Sequence, residues 1–288
     1  MSTWRKYKFN ENFFENIDTE AKAYFLGFLY ADGYIINSNT KGFGIQLQEQ
    51  DKDILDTFKV VLDSEYPLIC IKNKGKNDMY RLACYSKKSY TDLINKGCGI
   101  NKSLILKFPD ETQVPQNLIS HFIRGYFDGD GCVWNGKRKV MICKDNSRKT
   151  GYRERIVHNV KFNITGAITF IKPLQLFLHN YLGFTITKLN HHKGKNEAVT
   201  TMEYSGRANL KKLYNFIYKD AHYFLKRKKD KFNEIFCALD EKLSSETGLI
   251  AGTPEMVISS EAEKSERSST IPGMEVESSD SKCPALNK

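Results

Sequence analysis

Residues 24–33 read Tyr-Phe-Leu-Gly-Phe-Leu-Tyr-Ala-Asp-Gly, and residues 122–131 read Phe-Ile-Arg-Gly-Tyr-Phe-Asp-Gly-Asp-Gly. Placing Gly27 over Gly125 aligns Asp32 with Asp130 and Gly33 with Gly131, at a constant offset. A repeat of this kind organises a whole chain. Each copy reads as a helix apolar on all faces, closed by a glycine expected in a left-handed cap. Gly27 and Ala31 stand four apart, as do Gly125 and Gly129, so each helix carries a stripe of small residues on one face. Glycine inside a helix costs about 1 kcal/mol. That cost is tolerable where two backbones must nearly touch, so the two helices are expected to pack on each other.

Working outward, similar elements follow each copy. After the first come strand-like stretches at Gly42–Glu49 and Leu68–Ser86, with a helix at Asp51–Leu62 between them. After the second come Val160–Thr165 and Thr185–Tyr204, around a helix at Ile168–Leu182. Short amphipathic helices, Ser89–Lys96 and Ala208–Tyr218, close the two halves. The fold class is therefore α+β, two pseudo-symmetric mixed repeats. The first spans 1–113 with an extension at 1–19, and the second spans 118–243. Lys107–Asn117, with its two prolines, is the connector.

Both repeated helices end on an aspartate. A carboxylate at a helix C-terminus is disfavoured by about 0.3–1 kcal/mol, and touching helices bring two of them together. Such a pair holds a proton or a cation. Two converging carboxylates with room for phosphate oxygens suit Mg²⁺, which keeps much of its own water. Metal held this way can activate water and stabilise a leaving oxygen in phosphodiester cleavage.

The 288 residues carry a net charge of +10 and are 40% hydrophobic, enough for a core and against a wholly disordered chain. No apolar run reaches the roughly 20 residues of a membrane span, and the N-terminus lacks a secretory pattern. From Ser244 onward eight acids face four bases. Of the 44 bases and 34 acids, residues 1–243 thus keep 40 and 26, a net of +14. A body that basic implies a polyanionic partner. The Ser- and Glu-rich stretch 244–288 is expected to be disordered. Seven scattered cysteines form no CxxC pair and read as free thiols in a reducing, intracellular compartment.

Together, Tyr24–Gly33 and Phe122–Gly131 resemble the paired signature helices of the LAGLIDADG homing endonucleases in their single-chain, two-motif form. Tyr80–Lys88, Gly97–Pro109, Phe162–Gly166 and Tyr218–Phe232 extend the resemblance over residues 20–240. It implies motif helices at the interface between halves and a saddle of antiparallel strands across a long double-stranded DNA target. It also implies divalent metal shared by Asp32 and Asp130, with Mg²⁺ expected and Mn²⁺ as its substitute. The protein would be a monomeric, site-specific double-strand endonuclease that promotes homing of its own mobile element. Two alternatives come with the scaffold: an RNA maturase assisting intron splicing, with intron RNA as partner, and a non-nucleolytic DNA-binding regulator. Tyr30 stands where the family often has an acid. Arg124 stands where a small or apolar residue is usual, and is expected to point outward.

Strand alternation sorts the faces. Ile45 and Leu47 belong to the core and Gln46 and Gln48 to the far side. Val160, Phe162 and Ile164 are core, leaving Lys161, Asn163 and Thr165 outside. The resemblance implies a polar residue in each half that orients water near the metals, matched by Gln46 and Asn163. It also implies a lysine near the end of each half, matched by Lys102 and Lys228. Hairpin tips rich in base, with Lys72, Lys74, Lys76, Lys144, Arg148, Lys149, Arg153, Arg155, Lys193 and Lys195, are expected to follow phosphates beside Lys161. His191 and His192 have no third ligand at a useful spacing.

Overall fold

Thr19 opens the first motif helix, α1 (Glu20–Asp32), its side chain accepting from the Lys22 amide while Glu20 occupies the first turn. Residues 23–30 of α1 are all buried, which accounts for the absence of a polar face. The second motif helix, α4 (Ile119–Asp130), follows Pro115 and a single 3₁₀ turn and packs directly on α1. The computed structural model describes residues 6–73, 75, 77–100, 102–143, 152–191 and 198–247, and for 103 and 239–247 the backbone alone.

Each motif helix runs straight into a four-stranded antiparallel sheet. The first holds β1 (Gly33–Asn37), β2 (Lys41–Gln48), β3 (Ile69–Ile71) and β4 (Met79–Tyr85) in the order β1-β2-β4-β3. The second holds β5 (Gly131–Cys143), β6 (Tyr152–Ala167), β7 (Asn190–His191) and β8 (Val199–Ser205) in the order β5-β6-β8-β7. Between β2 and β3 lies α2 (Lys52–Val61), and α3 (Lys87–Asn95) follows β4. Their counterparts are α5 (Ile168–Leu182) and α6 (Arg207–Tyr218). A last helix, α7 (Lys226–Thr247), has no equivalent among the described elements of the first half and packs on α6 and β5.

The halves superpose by register as well as by order. Gly33 pairs with Ile45 and Gly131 with Ile164, while Ser86 and Gly206 stand at the start of α3 and α6 after matching strands. Phe43 therefore corresponds to Phe162, and Ile45 to Ile164. All four are buried. The extension before α1 belongs to the first core: Phe13, Phe14 and Ile17 are buried, and Asn10 N–H donates to Leu62 O at 2.8 Å.

Several expectations need correction. Gly33 and Gly131 are extended (φ −77° and −82°) and begin strands. A side chain there would strike Leu29 or Phe127, so the glycine is required by crowding and not by a left-handed turn. The expected strand at Thr185–Tyr204 shrinks to β7 and β8, and the one at Leu68–Ser86 to β3 and β4. Val160–Thr165 is only the inner end of the longer β6. The boundary placed at Ser244 falls inside α7, which runs on through Thr247; residues 248–288 lie outside the described residues.

Candidate active site

Gly27 and Gly125 bring α1 and α4 together. A side chain on Gly27 would collide with the carbonyl oxygen of Phe122, and one on Gly125 with that of Tyr24. At the C-terminal end, a methyl on Gly129 would overlap the Ala31 side chain and lie 3.0 Å from Asp32 Oδ2. The small-residue stripes thus set backbone against backbone and place the two aspartates side by side. Both reach solvent, with protein mass behind them. Burial and then the charge of Asp32 push the Asp130 carboxyl up to about 6, and burial raises Asp32 as well.

Two lysines converge from behind. Lys102 Nζ donates to Ala31 O at 2.8 Å. Lys228 Nζ donates to Phe127 O (2.8 Å), Gly129 O (3.0 Å) and Gly131 O (2.6 Å). Ala31 and Gly129 are equivalent positions of the repeat, so the lysines act as a matched pair. Each satisfies helix-terminal carbonyls that a left-handed cap would otherwise serve, and puts a cation at the negative end of the dipole. Burial lowers Lys228 to about 8. Its three donated bonds nevertheless require the ammonium.

Gln46 and Asn163 both lie on the outer sheet faces, between buried neighbours. They are not equivalent. By register Gln46 corresponds to Thr165, and Asn163 to Gly44. Gln46 sits opposite Arg81 and contacts Met79 Sδ at 3.6 Å, whereas Asn163 lies between Cys132 and Glu203. The alternating pattern was readable in both strands, but matching Phe43 with Phe162 would have exposed the two-residue slip.

Other residues were missed in the sequence. Tyr126 lies beside Asp130 and donates its hydroxyl to Thr165 O at 3.2 Å. Arg227 makes a two-pronged pair with buried Asp51 of the other half, at 2.7 and 3.0 Å. Arg124, expected outside, is 1% exposed. It donates to Tyr223 O (2.7 Å), Ile217 O (2.8 Å) and Glu20 Oε1 (2.6 Å). Asp128, beside the motif acid, is wholly enclosed and accepts from Tyr24 (2.9 Å), Tyr218 and the Leu225 amide (2.7 Å). Its oxygens are spoken for, which separates it from Asp32 and Asp130.

Of the basic residues, Lys72 is exposed and paired with Asp78. Arg153 and Arg155 lie within β6, not at a tip, and Lys161 donates to Glu203 at 2.7 Å. Lys74, Lys76, Lys144, Arg148, Lys149, Lys193 and Lys195 lie outside the described residues. The six described cysteines are unpaired. No described helix is long and apolar enough to cross a membrane.

Among the described residues no three His, Cys, Asp or Glu side chains cluster as a metal cage. Asp32 and Asp130 offer carboxylate oxygens side by side, and their mutual repulsion is what a divalent cation relieves. Two carboxylates, with other positions left to water and substrate oxygens, fit Mg²⁺.

A stretch of 133 residues is 30% identical to the DNA-directed RNA polymerase subunit Rpo1C of Methanocaldococcus jannaschii, covering 44% of this chain and only 14% of that protein's length. The chain is similar to the LAGLIDADG meganuclease I-AabMI, crystallised bound to uncleaved DNA (18% identity, 78% of this chain and 92% of that chain, TM-score 0.47). It is also similar to the LAGLIDADG homing endonuclease I-LtrWI bound to target DNA (13% identity, 80% and 93%, TM-score 0.49). The profile of the LAGLIDADG-like domain matches residues 19–96 and 117–218, one segment in each half. By that match over both repeats, the chain belongs to the LAGLIDADG-like domain family.

Proposed function

We propose that the protein is a site-specific endonuclease of double-stranded DNA, active as a monomer, with Mg²⁺ or Mn²⁺ held by Asp32 and Asp130. One observation carries the reading. Two carboxylates emerge side by side from helices locked backbone to backbone, and burial, then repulsion from Asp32, holds Asp130 up to about 6. A bound divalent metal there would activate water and stabilise the leaving oxygen. The chain's own groups do the rest. Lys102 and Lys228 fix the helix ends that carry the acids and add positive charge beside the reacting phosphate. Gln46 and Asn163, on the sheet faces, serve as polar groups that hold water or base edges, each in its own half. The basic outer surface, including Arg153, Arg155 and Lys161, supplies phosphate contacts and hence salt-dependent affinity.

The test is a randomised duplex library incubated with protein and Mg²⁺, followed by sequencing of the new ends. Fragments sharing one long site, cut on both strands and absent in EDTA, are expected. Normal cutting by an Asp32→Asn, Asp130→Asn double variant would remove the active-site assignment. Specific binding with no cutting in Mg²⁺ or Mn²⁺ would establish a DNA-binding protein without nuclease activity.

A further inference from the structure

The two halves share a strand order and differ most in one place. The hairpin β1–β2 pairs over five residues and turns at Ser38–Thr40, where Lys41 folds back on Asn37 and over the Tyr90 ring. Its counterpart β5–β6 pairs over thirteen, from Gly131↔Ile164 to Cys143↔Tyr152. At about 3.3 Å per residue the second hairpin reaches about 26 Å further.

Both hairpins start at the acid pair, since Asp32 and Asp130 immediately precede β1 and β5. Gly33 and Gly131 face the core, so Tyr34 and Cys132 open the outer face in each half. Counting by twos along β5 and β6 places Arg138, Arg155 and Arg153 on the same outer face as Lys161 and Asn163. All three arginines are exposed. On the reverse face, Lys139 is tied to Glu154 at 2.8 Å, beside exposed Met141 and Ile156. The outer face of the first half is different. Gly42 and Gly44 bear no side chain, the Tyr34 ring covers Gly44, and the polar groups are Gln46, Gln48 and Arg81, all close to the acid. Arg81 Nε is buried without a hydrogen-bond partner among the described residues.

We infer that the β1–β2 and β5–β6 hairpins grip unequal lengths of DNA: the second holds a long stretch through Arg138, Arg153 and Arg155, and the first, with Gln46 and Arg81 beside it, reads base pairs near the cut. This rests on the endonuclease reading above. The extra hairpin length corresponds to roughly eight base pairs at about 3.4 Å each. The arginine fork suits phosphate and guanine alike.

The experiment is a hydroxyl-radical footprint on the site recovered from the library, with the cut position mapped in Mg²⁺. Protection is expected to run further on one side of the cut, by roughly eight base pairs. The R138A/R153A/R155A variant should lose protection on that side alone and lower the slope of log K against log salt by about 3. Gln46→Ala and Arg81→Met should relax base preference only on the short side. A footprint symmetric about the cut, or a triple variant that shortens both sides or neither, overturns the inference alone. Failure to bind any duplex specifically overturns it together with the reading beneath it.

Discussion

The same two helices, α1 and α4, end in opposite ways. At their N-terminal end Glu20 receives Arg124 (2.6 Å), the His222 amide (2.8 Å) and ring (2.7 Å), and the Tyr223 amide (3.2 Å). Every carboxylate oxygen there has a donor, and the charge of the buried guanidinium is answered. At the C-terminal end Asp32 faces Asp130, like against like, while the nearby lysines spend their donors on backbone carbonyls. The charge at the closed end is saturated with partners, and the charge at the open end is left wanting one, as the proposed chemistry requires.

The strongest way to break this contrast is to neutralise the open end. Asp32→Asn with Asp130→Asn should cut cleavage by at least about 10³-fold, some 4 kcal/mol of lost transition-state stabilisation, and leave DNA affinity within a few-fold. Mobility-shift and cleavage assays on one preparation decide it. Equal losses of both would mean the acids serve folding. At the closed end, Arg124→Met should lower the unfolding free energy by about 3–5 kcal/mol, because it leaves two buried carbonyls without a donor and removes the charge partner of Glu20, which keeps only His222 and Tyr223. A urea midpoint close to wild type would show the cluster to be idle.

Between the ends, Gly27→Ala probes the contact itself. The new methyl meets the backbone of Phe122, which cannot swing aside, so about 1–3 kcal/mol of stability should be lost. Cleavage should fall further than that loss accounts for, since the acids move apart. An alanine variant with unchanged activity would mean that the helices can separate without harm.

The smallest effect is on pH, and the two ends differ in sign. Burial pushes Glu20 up, but hydrogen bonds from His222 and Tyr223 and the charge of Arg124 outweigh it, and the group titrates below its ordinary 4.5. Its stabilisation is present above pH 4.5 and lost as pH falls through the lowered value. Asp130, raised from 3.8 to about 6, does the reverse: its contribution is complete below 3.8 and lost as pH rises through 6. In metal-free buffer Asp130→Asn should therefore flatten the decline in stability between pH 4 and 7, by about 1 kcal/mol for so exposed a pair. Glu20→Gln should flatten the decline below pH 4.5. Identical pH profiles for both variants would erase the distinction.

Much of this was legible because the motif states its own geometry: small residues four apart, then an aspartate, twice. The order of strands and helices and the buried faces of β2 and β6 also followed from pattern or resemblance. What escaped depends on residues distant in sequence. Arg124 reads as a surface cation until Glu20 and the carbonyls of Ile217 and Tyr223 close over it. Asp128 has the same chemistry as Asp130, and only Tyr24, Tyr218 and the Leu225 amide tell them apart. The length of β5 was hidden because Lys137–Lys139 break its apolar alternation once the strand leaves the core. The Gln46–Asn163 mismatch arose because polar residues alternate in both strands, so neighbouring registers look alike.

The helix contact has a consequence for how such a chain can be reassembled. Gly27 and Gly125 touch main chain, and main chain is the same in every protein, so the seam where the halves meet says almost nothing about which half belongs to which. That information sits in side chains that cross the seam, in aromatic contacts such as Tyr30 on Phe122 and in three polar pairs, Glu20 with Arg124, Asp51 with Arg227 and Tyr24 with Asp128. They work as an address. A foreign half carrying the same small-residue stripe would have the shape to meet this one, and grafting its three members of those pairs would tell it where to stay.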